Sequence, residues 1–295
     1  MNEKTIAGIR RGSRFSPNHI GNDAAIFGLT AEALRKLGCV VNEYPESVLA
    51  GASLPEWFVF NMARDAGSVS RLQQYENEGR IVVNSAYGIQ NCTRRNMTRL
   101  LLSSHIPHPD SLIVRTDTDP LPLLHEASFH NCWIKRGDVH AIHREDVTYV
   151  RNPEEAQSVL EEFAVRGIEN AVINEHLTGD LVKFYGVKGT DFFYWFYPSC
   201  TGHSKFGLEQ INGAARGIPF DAVRLQKLCS QAADVLNIHV YGGDCIVCDD
   251  NVIRIIDFND WPSFAPCRAE AAPYIARRIY SLMNIPCPAA ELITI

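Results

Sequence analysis

The chain reads as an α/β protein, with a small parallel α/β sheet first and a larger, two-lobed α+β part after it. Three observations predict this. Short β-rich runs alternate with helical periods over residues 1 to 88. From Asn131 onward the strands come in pairs rather than singly between helices. Finally, the stretch from Gly242 to Pro262 sets two long β-rich segments on either side of a polar Asp-Asp-Asn break, the pattern of a hairpin.

Taken in order, Thr5 to Ile9 is the first strand, Arg10 to Asp23 a polar loop, Ala24 to Leu37 a helix and Cys39 to Val41 the next strand. Trp57 to Phe60 and Arg80 to Val83 are further short strands, with a helix over Val69 to Glu78 between them. Strands joined through helices pair in parallel, so these elements form one sheet. Neither G-x-G-x-x-G nor G-x-x-x-x-G-K-[ST] occurs in it, which excludes a dinucleotide fingerprint and a Walker loop. A helix whose apolar part is Met97 to Leu102 stops at Ile106-Pro107-His108-Pro109, and Asp117 to Pro122 is a loop. Cys132 to Lys135, Ala171 to Glu175 and Leu181 to Val187 are strands, the last two joined by a turn at Gly179-Asp180, and Asp191 to Tyr197 is an aromatic strand. Pro153 to Val165 and Phe220 to Leu236 are helices, opened by Asn152-Pro153 and Asp221. The expected division is a domain over 1–88 and a second over 89–295, with lobes at 89–175 and 176–295.

Composition narrows the function classes. A net charge of −6 over 295 residues gives no overall basic field for a nucleic-acid backbone. No apolar run reaches the roughly eighteen residues a membrane span needs, and the N-terminus lacks a signal-peptide core, so a cytoplasmic protein is expected. Nine cysteines is an odd, scattered count, and Cys39, Cys132 and Cys229 sit in apolar segments, which suits reduced, buried thiols. Cys245 and Cys248 have CxxC spacing but point to opposite faces of a strand, and no second pair completes a zinc site.

The hairpin carries the chemistry. Centring its turn on Asp250-Asn251 pairs 248 with 253, 246 with 255 and 244 with 257. Asp244 and Asp257 then face each other with Cβ atoms about 5 Å apart, Asn259 shares their face, and Ile246, Ile253 and Ile255 form an apolar floor. Two such carboxylates repel unless a proton or cation lies between them. Acid and amide oxygens are hard ligands of the kind Mg²⁺ takes when substrate phosphates complete its shell. Lys135 closes the apolar run Cys132-Trp133-Ile134, and Lys183 lies inside Leu181-Val182-Lys183-Phe184-Tyr185. An amine against a sheet interior needs a partner, either a phosphate or a nearby acid. The linker from Asn174 to Asp180 can offer backbone groups and a carboxylate to a base and ribose. After the first strand, where α/β sheets bind ligands, stand Arg11, Arg14, Asn18 and His19, candidates for a substrate carboxylate or phosphate; a solvated basic turn is the alternative.

These residues resemble the ATP-grasp superfamily over about 84–262, in particular its glutathione synthetase and ribosomal-protein glutamate ligase group. Arg94-Arg95-Asn96-Met97-Thr98-Arg99-Leu100-Leu101, followed by Ile106-Pro107-His108-Pro109, is similar to the family's opening helix, with Arg94 at its first nucleotide-binding lysine. Trp133-Ile134-Lys135 resembles the strand ending in the second such lysine, and Asn174-Glu175-His176-Leu177 the inter-lobe segment that meets adenine, Glu175 and Leu177 through their main chain. The following strand, with Asp180 near its start, carries Lys183 toward the phosphates. Asp244, Asp257 and Asn259 fall at the metal ligands, and Asn259-Asp260-Trp261-Pro262 resembles the Asn-x-x-Pro ending. Three departures stand out. Arginine replaces the first lysine, and Asp257 stands where many relatives have glutamate. The loop after Lys135 has a single glycine, so its phosphate lid would use His140 or a short turn.

The resemblance implies ATP between two lobes, two Mg²⁺ ions with Mn²⁺ as a substitute, and a carboxylate activated as an acyl phosphate for attack by an amine or thiol. Lys183 and Lys205 are the expected catalytic residues, Lys205 in a loop that would meet the acyl phosphate. The substrates would be small-molecule or peptide carboxylates and amines, without nucleic acid or membrane, in a chain compatible with a homodimer. Two alternatives stay open: a small-molecule kinase like the inositol-phosphate kinases, which share this fold, and a nucleotide-binding regulatory module.

Overall fold

The structure, a computed structural model, describes residues 4–16, 20–51, 53–139, 144–198 and 211–283. Its first sheet comprises β1 (Lys4–Arg10), β2 (Cys39–Pro45), β3 (Phe58–Asn61) and β4 (Ile81–Val83), all parallel in the order β2-β1-β3-β4. Helices α1 (Ile20–Lys36) and α2 (Ala66–Asn77) make the crossovers. Helix α1 starts inside the segment expected to be a loop, four residues before its apolar stripe begins at Ala24. Asp65 caps α2 by accepting from the Ser68 N–H at 3.1 Å.

Two antiparallel sheets follow. Helices α3 (Ala86–Asn91) and α4 (Arg94–Ser103) lead into β5 (Ser111–Arg115), α5 (Leu121–Glu126), β6 (Cys132–Arg136), β7 (Val147–Val150), α6 (Pro153–Val165) and β8 (Asn170–Glu175), paired in the order β5-β8-β6-β7. The last sheet has the order β10-β9-β11-β12, built from β9 (Gly179–Val187), β10 (Phe193–Phe196), β11 (Val240–Cys248) and β12 (Ile253–Asp260). Helix α7 (Ala222–Leu236) covers it, and α8 (Arg268–Met283) ends the described chain. Among these, α3, β5 and β7 are not signalled by the sequence: each is short and lacks a run of alternating apolar residues. Asp117 to Pro122 is a loop except at its end, where Pro120 fixes the backbone that opens α5. The turn expected at Gly179-Asp180 does not form. Both residues already belong to β9, and the crossing between sheets is made by residues 176–178.

Each sheet buries its own apolar face. Phe163 and Leu160 of α6 cover Ile134 and Ile173. Met97 and Leu101 of α4, with Leu225 and Leu236 of α7, cover Val182, Phe184, Ile255 and Phe258. The last helix returns to the beginning of the chain, so that Ile275 and Ile279 share a core with Ile26, Phe27 and Leu34 of α1. Cys39, Cys132 and Cys229 are buried free thiols as expected, and Cys245 and Cys248 fall in separate clusters on opposite faces.

The parallel sheet is locked to the third sheet by Asn84, which is fully buried. Its amide nitrogen donates to the Val240 carbonyl at 2.7 Å, and its oxygen accepts from the N–H groups of His239 at 2.9 Å and Val240 at 2.8 Å. One side chain therefore satisfies three backbone groups at the start of β11. Asn84→Ala strands all three, and we expect a loss of about 2–4 kcal/mol in urea unfolding. A loss below about 1 kcal/mol would show that solvent replaces the amide.

Candidate functional site

The cleft lies between the two antiparallel sheets and continues to the ends of β1 and β3, enclosing about 320 Å³. Its wall is dictated by strand alternation. On β6 it receives Trp133 and Lys135; on β9 Leu181, Lys183 and Tyr185; on β11 Gly242, Asp244 and Ile246. Apart from Gly243, whose backbone also lines the cleft, every second residue faces the cleft while those between face the core.

The expected cross-strand pair is present: Asp244 stands opposite Asp257. The rest of the hairpin differs from expectation. Its loop has three residues, closed by an Asn251 N–H to Cys248 carbonyl bond of 2.9 Å with Asn251 at φ 59°. This sets 247 opposite 253 and 245 opposite 255, one residue out of the expected register, and a bulge between Asp244 and Cys245 restores it at the aspartates. Ile256 is the extra residue. It faces the cleft beside Asp257, while Ile253 and Ile255 turn into the core under α4 and α7. The apolar floor is therefore Ile246, Ile256 and Leu181. Close approach of the two strands requires glycine at 243, where a Cβ would lie 2.2 Å from the Asp257 carbonyl oxygen.

Each aspartate is capped by a cation from another element. Lys183, opposite Asp244 in register, donates to its two oxygens at 3.1 and 3.2 Å. Arg94, the first residue of α4, grips Asp257 with both terminal nitrogens, Nη2 at 2.8 Å from Oδ2. Burial alone would raise the Asp257 carboxyl, but the Arg94 guanidinium, helped by Lys135 and an Asn259 hydrogen bond, holds it well below the usual carboxylate range. Lys135 is 7% exposed and its ammonium donates to the Ile256 carbonyl at 3.2 Å. Burial, then the nearby Arg94, lowers its pKa to about 7. Beneath the site, His108 donates from Nδ1 to the Ile255 carbonyl at 2.6 Å and its Nε2 accepts from Thr98 at 3.3 Å. Burial, then Lys135, pushes that imidazole down to about 3.

Glu175, Leu177 and Asn174 line the far end of the cleft beside Trp133. His176 does not line it. Its ring turns behind the wall, where Nδ1 accepts from Trp133 Nε1 at 3.0 Å and fixes that indole. Asp180 is likewise not a cleft residue: its buried carboxylate points to the opposite face of β9 and accepts from the N–H groups of Arg216 and Ile218, each at 2.7 Å. Of the substrate candidates, Arg11 lines the cleft but Arg14 does not, being exposed and paired with Asp65. Lys205, His140, Asn18 and His19 lie outside the described residues. Arg64 also lines the cleft. The sequence does not single it out, because Met62-Ala63-Arg64-Asp65 has no periodic pattern; the usable signal is its place just past a parallel strand.

The donor set fits a divalent ion bound together with phosphates. Asp244, Asp257 and Asn259 offer hard oxygens on one face, yet among the described residues no group of three His, Cys, Asp or Glu could hold an ion unaided. A bound phosphate would supply further oxygen ligands. Cations for that anion stand alongside, and Arg94 Nε is buried without a hydrogen-bond partner. Though the chain is acidic overall, Arg11, Arg64, Arg94, Lys135 and Lys183 outnumber the acids Asp23, Glu175, Asp244 and Asp257 on the cleft wall.

Comparison with solved structures identifies the architecture. A D-alanine–D-alanine ligase from Bacillus anthracis complexed with ATP superposes with a TM-score of 0.69 at 14% identity, covering 94% of this chain and 96% of that one. D-alanyl-alanine synthetase A from Vibrio cholerae gives 0.69 at 11% identity over 95% and 98%, and a RimK domain ATP-grasp protein from Sphaerobacter thermophilus 0.67 at 15% over 93% and 98%. No family model and no curated protein matches the sequence. The chain has the ATP-grasp fold.

The neutral, buried His108 makes a pH prediction. Its folded pKa of about 3 lies below the ordinary 6.5, so the unfolded chain takes up the proton first as pH falls. Its contribution to stability is complete above pH 6.5 and is lost between about 6.5 and 3, at up to about 1.4 kcal/mol per pH unit. In thermal unfolding across that window, His108→Gln should lose stability less steeply than the parent; parallel curves would contradict the assignment.

Proposed function

We propose that the protein is an ATP-dependent ligase that joins a carboxylate to an amine or thiol through an acyl phosphate, with Mg²⁺ as its metal. The observation that carries this reading is the pair Asp244–Asp257, each acid capped by a cation on a different element, in a cleft between two antiparallel sheets. The matched structures include ligases, one of them complexed with ATP, which supports the same reading.

The base would lie against Trp133, Leu181 and Leu177, with main-chain groups at Glu175 and Leu177 reading its edge. Lys183, Lys135 and Arg94, which share the cleft wall with Asp244 and Asp257, would stabilise the charge of the phosphates. Asp244, Asp257 and Asn259 would hold the metal, which would supply charge neutralisation for the phosphates. Binding exchanges partners: Lys183 and Arg94 move from carboxylate to phosphate. Lys135, kept close to neutrality by burial, gains its full charge when the anion arrives. The acid would present one carboxylate oxygen to the γ-phosphorus in line with the bridging oxygen, giving the acyl phosphate and ADP, and the amine would then displace the phosphate. No side chain need act as nucleophile, since positioning and charge placement account for most of the barrier lowering.

Purified protein with Mg-ATP, a panel of acids and a panel of amines should release ADP and phosphate in step with an amide or thioester. A phosphorylated product without free phosphate would mark a kinase instead, and nucleotide binding without turnover a regulatory module. Asp257→Ala is expected to keep the fold and to lower ADP release by at least about a hundredfold. Circular dichroism and the ADP assay together check this, and substantial residual turnover would remove Asp257 from the metal site.

A further inference from the structure

The end of the cleft nearest the parallel sheet holds two largely buried arginine side chains with hydrogen-bonding capacity left over. Arg11 follows β1 and Arg64 follows β3, the strand paired with it. Arg11 donates to the Met62 carbonyl at 3.2 Å, to Asp23 at 3.0 Å and to the Trp261 carbonyl at 2.9 Å. Arg64 donates from Nη2 to the Asp260 carbonyl at 3.0 Å and pairs with its carboxylate at 3.1 Å. A guanidinium carries five N–H donors. Among the described residues nothing accepts from Arg64 Nη1 or Nε, and Arg11 keeps two N–H groups unused. Because Asp23 and Asp260 already balance both charges, a singly charged planar acceptor suits this end better than a phosphate dianion.

Glu46 holds both arginines in place from behind. Its buried carboxylate accepts from the backbone N–H of Gly12, next to Arg11, and from those of Arg64 and Asp65, each at 2.6 Å. One side chain thus fixes the spacing of the two loops, and no solvent-exposed group takes part in that clamp.

We propose that Arg11 and Arg64 form a subsite for a carboxylate that does not react, and that Glu46 is its positioning residue. This rests on the ligase reading above. The reacting carboxylate belongs beside Asp257, whereas these arginines grip the main chain at Asp260 and Trp261, roughly 10 Å further along the strand direction. A single carboxylate cannot serve both places. One substrate therefore carries a second, spectator carboxylate, borne either by the acid that is activated or by the amine that attacks.

The test measures ADP release with short dicarboxylic acids, amino acids and dipeptides, each paired with its counterpart amidated at the spectator carboxylate. The free form should be used at least about tenfold better in kcat/KM. Amidation on the activated acid and amidation on the amine are assayed separately, which tells which substrate bears the group. Arg64→Met and Arg64→Lys should both abolish this discrimination while leaving the Kd for Mg-ADP within about twofold. Glu46→Gln should raise KM for the free form with little change in kcat, and Glu46→Asp should recover part of it. Equal use of amidated and free substrates, or retention of discrimination in both Arg64 variants, overturns the subsite. No ADP release with any acid of the panel, despite Mg-ADP binding, overturns the ligase reading and this inference with it.

Discussion

Two carboxylates on neighbouring strands of one sheet face are the constraint around which this protein is arranged. Asp244 and Asp257 are placed by backbone register, not by side-chain choice, so their repulsion cannot be relieved by a different rotamer alone. Relief comes from Lys183 on the adjacent strand and Arg94 at the start of a helix packed against that sheet. That requirement fixes where α4 enters. It also explains why Ile255, on β12, is tied to Pro107 by a 2.9 Å backbone bond and to His108 by a 2.6 Å side-chain bond. Charge placement and topology are here a single problem.

The same constraint separates what could be read from the sequence from what could not. Period-two alternation made β6, β9 and β11 legible, because residues 133 and 135, 181 and 183, 244 and 246 declare one face each. The outer pair of the hairpin was legible for the same reason. Its inner register was not. A three-residue loop and a one-residue bulge cancel at the aspartates, and neither leaves a local signature beyond an asparagine that tolerates φ 59°. Asp180 illustrates the opposite error. A polar residue beside glycine reads as a turn, but backbone N–H groups 36 and 38 residues away claim its carboxylate. Arg64, Glu46 and Asn84 carry no periodic signal because each is defined by contacts across the chain, over separations of 196, 18 and 156 residues.

Those long-range contacts give the parallel sheet its role. Asn84 binds β4 to β11, while Arg11 and Arg64 bind the ends of β1 and β3 to the main chain just past Asn259. Trp261, buried and stacked 5.9 Å from Phe60, sits at that junction with φ 34°, and Phe264 follows at φ 48°. Strained backbone of this kind persists only where packing on both sides enforces it. The strand that carries the metal-type ligands therefore ends in a rigid seam shared with the parallel sheet. Asn259 and Asp257 lie two and four residues before Trp261 on that strand.

Charge compensation along the cleft also bears on which anions it can accept. Arg94 is paired with Asp257, Lys183 with Asp244, Arg11 with Asp23 and Arg64 with Asp260, so among the described cations of the cleft wall Lys135 alone has no carboxylate at hydrogen-bonding distance. Among the described residues, a substrate that is itself a polyphosphate would meet no unbalanced positive charge beyond that one amine. A triphosphate accompanied by divalent ions would be a different case, because ions held by the carboxylates would leave Arg94 and Lys183 to the phosphates. At the arginine end Arg11 stays paired with Asp23 and Arg64 with Asp260, neither of which is among the metal-type ligands Asp244, Asp257 and Asn259. That end must therefore recognise its ligand by donor geometry more than by net charge, which favours a small carboxylate over a heavily phosphorylated partner and weighs against the kinase alternative.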